Sequence, residues 1–388
     1  MSVAAIAIVE VETGVDPMPA FEAIWSRGGR VLPVLKSLPA AARAALEVRI
    51  RAMQADDAPG VVLSTSGSSG EPRLIDLSLD AMRASAALGA RVIPFGAGDI
   101  WHASLAPAHI GGVMILMRAR FLGGAVRFAT QPRTWQDLEG CTHVSLVAAQ
   151  LARLLEDRAR VPSSLKAVML GGGPSARALH DLAIERGVPL YSTYGLTETC
   201  SQVATGRRAV GDAETLAGPP IPGVSIAIDP ASGEITVDGP VLARGEFIAR
   251  EDDGALVPLE RPLRTRDAGF FDDRGRLHIV GRLDAMFISG GKNIHPEVIE
   301  RALCELPCVR AACVVGVPDA KWGMRPIAFV DLRTQTGRFI REIISETLER
   351  HLVPDAVYAL PPDELAATKP SRARLAARLA AGQLFNEV

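Results

Sequence analysis

The stretch Val62–Asp76 constrains the fold of this chain more than any other. It begins within a short apolar run, Val61–Leu63, whose length and residue types predict a buried β-strand. The next segment is rich in glycine and serine and has the sequence Thr65-Ser66-Gly67-Ser68-Ser69-Gly70, with Arg73 closing it. Glycines permit positive φ and close approach to a ligand, and consecutive backbone N–H groups in such a loop bind anions. The pattern predicts a phosphate-binding loop. The alternative, a flexible Ser/Gly linker, fits poorly with the preceding strand and the Glu-Pro-Arg ending.

Strands and helices alternate after this loop, which predicts a largely parallel sheet covered by helices. The predicted helices are residues 78–88, 113–122 and 175–186, the predicted strands are 165–170 and 188–192, and residues 143–155 form a strand followed by a helix. From about residue 206 to 261, short strands and turns predict a small β-subdomain. The fold class is therefore α/β.

A second chemically informative segment, Tyr194-Gly195-Leu196-Thr197-Glu198, follows the strand predicted at 188–192. An aromatic side chain beside a glycine can stack on a base, and Thr197 and Glu198 offer oxygen ligands that suit Mg²⁺ beside phosphates. The alternative is a Thr-Glu helix cap after a turn.

These two segments resemble the phosphate loop and a nucleotide-binding segment of the adenylate-forming superfamily, which includes acyl- and aryl-CoA ligases, adenylation domains and luciferases. Arg264–Gly269 resembles the superfamily's Thr-Gly-Asp-x-Gly, with Arg266 in place of the usual glycine, and Ser289–Glu300 resembles its segment after the hinge. Arg73 replaces the usual lysine of the loop. The matches follow the superfamily's order over most of the chain, although the part before the loop is short.

The resemblance implies a role for each matching position. Nucleotide binding is implied for Thr65, Ser66, Gly67, Ser68, Ser69, Gly70, Arg73, Gly171, Gly172, Gly173, Pro174, Tyr194, Gly195, Thr197, Asp267 and Arg282, and magnesium binding for Thr197 and Glu198. His109, in a Pro-x-His-x-x-Gly segment, would line the acyl pocket. Arg118 is either a surface charge with a buried stem or a cation that binds a second carboxylate of the acid.

The resemblance also implies a large N-terminal domain, residues 1–283, of parallel-rich sheets flanked by helices, and a small mobile α+β C-terminal domain, residues 284–388, with a hinge at Asp284. CoA would contact Ser289, Gly290 and Gly291. The catalytic lysine of the superfamily aligns with Lys369 by its Lys-x-x-Arg spacing, whereas alignment by the usual glycine would place Arg372 there. Both alignments stay open, with Lys369 preferred.

The implied activity is that of an acid–thiol ligase using ATP, Mg²⁺ and CoA, in which Lys369, Glu198 and His109 act at the reacting centre. Residues 143–155 resemble a segment of o-succinylbenzoate–CoA ligases of menaquinone synthesis, which are also short at the N-terminus. The alternatives are another acyl- or aryl-CoA ligase, a stand-alone adenylation enzyme loading a carrier protein, and a non-catalytic adenylate-binding protein. The resemblance leaves a homodimer open.

Composition excludes other classes of protein. A net charge of −2 gives no reason to expect nucleic acid as a partner. Five cysteines, an odd number, fit a reducing compartment better than a disulfide framework. The N-terminus lacks the basic region of a signal peptide and no apolar run is long enough to insert into a membrane. We therefore expect a cytoplasmic enzyme that acts on small molecules.

Overall fold

The computed structural model describes residues 6–51, 53, 58–66, 72–249, 254–334, 339–365 and 370–388. Of the residues that the sequence singles out, Gly67, Ser68, Ser69, Gly70 and Lys369 lie outside these ranges. No helix within them is long and apolar enough to cross a membrane.

The chain alternates strands and helices up to residue 207 and is then almost entirely β-structure up to residue 282. Residues 6–127 form β1 (Ile6–Val11), α1 (Met18–Trp25), β2 (Arg30–Leu35), α2 (Ala40–Arg51), β3 (Gly60–Ser66), β4 (Pro72–Ser78), α3 (Leu79–Gly89), β5 (Ile100–His102), α4 (Ile110–Leu122) and β6 (Ala125–Arg127). A 3₁₀ turn at Trp135–Leu138 is followed by β7 (His143–Leu146), α5 (Ala148–Glu156), β8 (Ala167–Leu170), α6 (Arg177–Glu185), β9 (Leu190–Leu196), a 3₁₀ turn at Thr197–Thr199 and β10 (Ser201–Arg207).

The remaining elements extend the first sheet and form two further sheets. They are β11 (Leu216–Gly218), β12 (Ser225–Ile228), β13 (Glu234–Asp238), β14 (Gly245–Ala249), β15 (Gly254–Pro258), β16 (Leu263–Phe271), β17 (Leu277–Arg282), β18 (Phe287–Ser289), β19 (Lys292–Ile294), α7 (Pro296–Cys304), β20 (Val309–Asp319), β21 (Gly323–Leu332), α8 (Ile340–Ile344), β22 (Ala356–Ala359), α9 (Pro362–Leu365) and α10 (Arg372–Ala380).

The predicted helices at 78–88, 113–122 and 175–186 are confirmed as α3, α4 and α6. Local signals explain their ends. The Ser78 hydroxyl accepts a hydrogen bond from the backbone N–H of Ala81 and so caps α3. Gly123, with φ of 79°, ends α4 in the left-handed conformation that glycine adopts without a side-chain clash.

Two six-stranded sheets form the larger part of the molecule. The first has the order β1-β2-β3-β4-β14-β15 and the second has the order β10-β9-β8-β7-β5-β6. In the second sheet all pairs are parallel except β9 with β10, as the alternation of strands and helices predicts. In the first sheet only β1, β2 and β3 run parallel, because β3 turns back on β4 as a hairpin.

The third sheet, β11-β17-β16-β13-β12, corrects the limits of the predicted β-subdomain. The sequence places that subdomain at about 206–261, whereas the sheet uses strands between Leu216 and Arg282. The strands β14 and β15 lie within the predicted range but extend the first sheet, since β14 pairs with Leu74–Asp76 of β4. A pairing between segments so far apart in the chain leaves no local signal in the sequence. The fourth sheet, β19-β18-β21-β20 with β22 beside β21, contains only residues after Asp284.

The helix α4 lies in the centre of the larger part, between the first two sheets. Residues on one of its sides, among them Val113 and Met117, pack in a core with β3 and β4 of the first sheet, while Ile115 packs with Trp101 of the second. Every residue from Gly112 to Arg118 is buried. A helix covered on all sides is expected to be apolar all round, which makes Arg118 chemically exceptional there.

Candidate active site

The predicted phosphate loop connects β3 to β4, two antiparallel strands of the first sheet. Thr65 lies opposite Arg73 and Ser66 opposite Pro72, so the two ends of the loop are adjacent. Val61 and Val62 have no exposed surface, which confirms the buried strand that leads into the loop. The sequence predicts no strand at Pro72–Ser78 and so does not predict this hairpin.

Arg73 makes two ion pairs that the sequence did not predict. Its Nη1 lies 2.7 Å from Glu198 Oε1 and its Nη2 lies 2.6 Å from Glu246 Oε2. Hydrogen bonds to Glu246 and Glu198 raise the pKa of the guanidinium. Arg73 therefore connects β4 to the Thr197–Thr199 turn and to β14. In this arrangement its charge is balanced by two carboxylates of the protein.

Glu198 lies in the 3₁₀ turn after β9, with 9% of its surface exposed. Its Oε1 accepts the Arg73 hydrogen bond, and its backbone oxygen accepts one from the N–H of Ala243 at 2.8 Å. Oε2 has no hydrogen-bond partner among the described residues. Within the described ranges no three His, Cys, Asp or Glu side chains gather as a metal cage. A single available carboxylate oxygen fits Mg²⁺, which commonly binds one or two carboxylates together with substrate phosphates.

A chain of hydrogen bonds connects Tyr194 to the predicted hinge. Tyr194 Oη donates to Asp267 Oδ2 at 2.7 Å, and Arg282 Nη1 donates to Asp267 Oδ1 at 3.2 Å. The guanidinium of Arg282 also pairs with Asp284, at 2.7 Å. The antiparallel register of β16 and β17, with Asp267 opposite Arg282, produces this arrangement. Burial raises the pKa of the Asp267 carboxyl, although the hydrogen bonds from Tyr194 and Arg282 oppose that rise.

Arg266 has a φ of 61°, a left-handed conformation that is uncommon for residues with a side chain. The corresponding segment of the adenylate-forming superfamily usually has glycine at this position. The conformation is held because the backbone N–H of Arg266 donates to Glu234 Oε1 at 2.9 Å.

We expect Arg266→Gly to stabilise the protein by about 0.5–1 kcal/mol, because glycine adopts this φ without a clash while loosening the unfolded chain slightly. Chemical denaturation measures the change. Arg264→Gly, two residues earlier on the same strand and without positive φ, is the matched control and should destabilise. A less stable Arg266→Gly variant would contradict the interpretation.

The glycine turn Gly171–Pro174 follows β8 and borders a cavity of about 560 Å³. Gly172 has a φ of 85°, and a Cβ on Gly171 would lie 2.6 Å from Thr193 Oγ1, so both positions require glycine. On its other side the cavity is lined by α7, by β20 and by Pro370, which follows Lys369 in the chain. The part of the protein after Asp284 therefore faces the turn Gly171–Pro174, and Pro370 is among the residues on that side of the cavity.

Two buried side chains that the sequence did not indicate hold this turn from behind. Arg208 Nη2 donates to His180 Nδ1 at 2.7 Å, so the neutral imidazole carries its proton on Nε2 and donates to Ser175 Oγ at 2.6 Å. Burial and the Arg208 charge lower the pKa of His180 to about 4. The imidazole is thus uncharged at neutral pH.

The C-terminal part contacts this region at two further points. The Glu305 carboxylate accepts hydrogen bonds from the backbone N–H groups of Arg177 and Ala178, and so caps α6. Arg301 Nη2 donates to the backbone oxygen of Val280 at 2.9 Å. These contacts fix one orientation of α7 against the end of β17.

Arg372 does not lie free in the cavity that it lines. Its Nη2 is 2.7 Å from Glu300 Oε2 and 2.8 Å from Glu297 Oε1, both on α7. Its charge is therefore balanced by the carboxylates of α7. The predicted CoA-binding residues lie elsewhere: Ser289, Gly290 and Gly291 form the β18–β19 hairpin, where a Cβ on Gly290 would lie 2.9 Å from Trp322.

His109 directly precedes α4, and Arg118 lies within the helix. His109 precedes the first turn and its side chain is exposed, although desolvation by neighbouring atoms lowers the pKa of the imidazole. Arg118 is 4% exposed, which excludes the surface position that the sequence left open. Its guanidinium lies 5.1 Å from the Trp101 ring centroid, and Nη2 donates to Gln202 Oε1 at 3.2 Å. Desolvation lowers the pKa of Arg118 to about 10.

Two family models and several known proteins match this chain. The family model described as "AMP-binding enzyme" matches residues 29–251, and the model described as "AMP-binding enzyme C-terminal domain" matches residues 298–370. A 2-succinylbenzoate--CoA ligase of Bacillus cytotoxicus is 35% identical over 322 residues, covering 77% of this chain. The match spans 66% of that relative's own length.

Two solved structures have the same fold. A variant of E. coli MenE with bound OSB-AMS has a TM-score of 0.82 and 29% sequence identity, covering 98% of this chain and 89% of the other. The o-succinylbenzoate coenzyme A synthetase (MenE) from Bacillus subtilis, in complex with ATP and magnesium ion, has a TM-score of 0.71 and 25% identity, covering 92% of this chain and 80% of the other. The α/β fold and the resemblance to the adenylate-forming superfamily are confirmed. The chain belongs to the AMP-binding enzyme family.

Proposed function

We propose that the chain is an ATP-dependent acid–CoA ligase that forms an acyl-adenylate and then an acyl-CoA thioester, with o-succinylbenzoate as the acid. Family membership and the 35% identical 2-succinylbenzoate--CoA ligase support the reaction type. The observation that carries the choice of acid is Arg118, a buried cation without a carboxylate partner among the described residues.

In the first half-reaction, a carboxylate oxygen of the acid attacks the α-phosphorus of ATP and pyrophosphate leaves. The loop between β3 and β4 would hold the β- and γ-phosphates through its backbone N–H groups. Glu198 Oε2 would hold Mg²⁺, which neutralises phosphate charge when bound. Asp267 would accept hydrogen bonds from the ribose hydroxyls, with Tyr194 and Arg282 fixing its orientation. The turn Gly171–Pro174 would border the adenine.

Arg73 has a different role in this proposal from the one its loop position suggests. Because it bridges Glu198 and Glu246, we propose that it orients Glu198 toward the metal. Arg73 would contact the γ-phosphate only if one of these ion pairs opened.

Lys369 is the proposed catalytic cation at the α-phosphate. The engagement of Arg372 by Glu297 and Glu300 supports this alignment, since a cation already balanced by two carboxylates is a weak electrostatic catalyst.

In the second half-reaction, the CoA thiol attacks the acyl carbon and AMP leaves. We propose that residues 284–388 rotate about Asp284 between the two steps, as in hinge motions that assemble two sites in turn. The present orientation, with Pro370 toward the nucleotide turn and Ser289–Gly291 away from the cavity, suits the adenylation step. Rotation would break the Glu305 cap on α6 and bring Ser289–Gly291 to the pantetheine arm.

The acid would lie along α4. Arg118 lies nine positions after His109, which corresponds to about 13 Å of helix. An acid with its reacting carboxylate near the exposed His109 end and a second carboxylate near Arg118 fits this spacing. A buried guanidinium recognises a carboxylate strongly because neither group is screened by water. A plain fatty acid would leave the Arg118 charge unpaired.

ATP–pyrophosphate exchange with a panel of carboxylic acids, followed by addition of CoA, tests the proposal. We expect exchange with o-succinylbenzoate above that with benzoate or medium-chain fatty acids, and thioester formation when CoA is added. Exchange with another acid would favour a different acyl-CoA ligase. Adenylation without CoA transfer would favour a carrier-loading enzyme, and no exchange with any acid would leave a non-catalytic adenylate-binding protein.

Two further predictions belong to this proposal. We propose a cytoplasmic location, and the five free thiols support it because the reducing cytoplasm keeps cysteines unpaired. The homodimer remains a prediction that sedimentation would test.

A further inference from the structure

Gln202 is the hydrogen-bond partner of the buried cation on α4. It lies on β10 and is 3% exposed, and its Oε1 accepts the hydrogen bond from Arg118 Nη2. Arginine has only donors, so the amide must present its oxygen and not its nitrogen to the guanidinium. Among the described residues Arg118 has no other hydrogen-bond partner.

The Gln202 side chain lies against the backbone of α3. Gly89, at the end of α3, makes room for it, because a Cβ there would lie 2.9 Å from Gln202 Nε2. On β10, Gln202 pairs with Gly195 of the predicted nucleotide-binding segment. Gln202 therefore connects that segment, through its backbone, to the guanidinium on α4, through its side chain.

Another buried arginine of the chain shows what is unusual here. Arg30 has no exposed surface, and its Nε lies 3.0 Å from the carboxylate of Asp76, which is equally buried. The Arg30 charge is thus balanced by the protein. Arg118 is oriented by a neutral amide, so its position is defined while its charge remains available to a ligand. Burying a cation of this kind lowers the stability of the folded state unless an anion pairs with it.

We propose that Gln202 is a positioning residue that selects acids with a second carboxylate by orienting Arg118 without neutralising it. This inference rests on the proposed function, in which Arg118 binds that carboxylate. The identity of residue 202 then sets the charge of the pocket: an amide leaves it positive, and a carboxylate of the same shape would make it neutral.

The test compares two acids, o-succinylbenzoate and 4-oxo-4-phenylbutanoate, which has the same skeleton without the ring carboxylate. The measured quantity is the ratio of their kcat/KM values in ATP–pyrophosphate exchange. In Gln202→Glu the new carboxylate pairs with Arg118 and repels the ring carboxylate, so we expect the ratio to fall by about 10²-fold or more. Gln202→Met keeps the cation but loses its orientation, and should lower the ratio by only about tenfold.

Gln136→Glu makes the same change of charge on the exposed 3₁₀ turn after β6 and is the matched control, which should keep the wild-type ratio. Circular dichroism and thermal melting establish that each variant is folded. If Gln202 had only a structural role, both acids would lose activity equally and the ratio would stay constant, which would overturn the inference. A wild-type protein that adenylates neither acid would overturn the proposed function, and the inference with it.

Discussion

Lys369→Ala is expected to slow adenylation by about 10²–10³-fold, the usual effect of losing one preorganised donor at a centre where charge develops. The lysine helps only while negative charge builds on the α-phosphate. CoA transfer from a supplied acyl-adenylate should therefore be nearly unchanged, because the proposed rotation has moved residue 369 away by then. Pyrophosphate exchange reports the first half-reaction, and thioester formation from the isolated adenylate reports the second.

Arg372→Gln is the control for this alignment. Since Arg372 contacts Glu297 and Glu300, its loss should lower the stability of the C-terminal part and have a smaller effect on adenylation than Lys369→Ala. Adenylation that is abolished in folded Arg372→Gln but retained in Lys369→Ala would show that the catalytic cation lies three residues further along the chain.

Arg118→Met is expected to lower kcat/KM for o-succinylbenzoate by about 10²–10³-fold, because removing one partner of a buried charge pair costs about 2–5 kcal/mol. Its thermal stability should stay the same or rise, since the substitution removes a desolvated cation from between two sheets. Loss of activity together with gain of stability separates a binding role from a structural one.

Arg120→Met is the matched control on the same helix. Arg120 is partly exposed and lies 3.3 Å from Glu22 at the surface. Its replacement should leave the preference for a second carboxylate as in the wild type. If Arg118→Met and Arg120→Met behaved alike toward both acids, the assignment of Arg118 to the acid would be wrong.

The candidate site segments could be proposed from the sequence because each carries its own local signal. The loop at residue 65 combines glycines with a preceding apolar strand, and Tyr194–Glu198 follows another strand. The partners of their charged groups carry no such signal. Arg73 is separated from Glu198 by 125 residues and from Glu246 by 173. Only the pairing of β4 with β14 brings Glu246 to the loop.

The burial of Arg118 illustrates the same limit. The residues from Val113 to Leu122 are apolar on every side of the helix apart from two arginines, which is the pattern of a helix enclosed by other elements. That pattern could have excluded the surface position. It could not have identified Gln202 as the partner, because β10 reaches α4 only through the packing of the second sheet against the helix layer.

The most direct test of the central claim is mass spectrometry of a single reaction containing the protein, o-succinylbenzoate, ATP, Mg²⁺ and CoA. We expect the mass of the acyl-adenylate when CoA is withheld, and its replacement by the mass of o-succinylbenzoyl-CoA together with AMP when CoA is added. Recovery of unreacted acid and ATP from folded protein in both reactions would contradict the account.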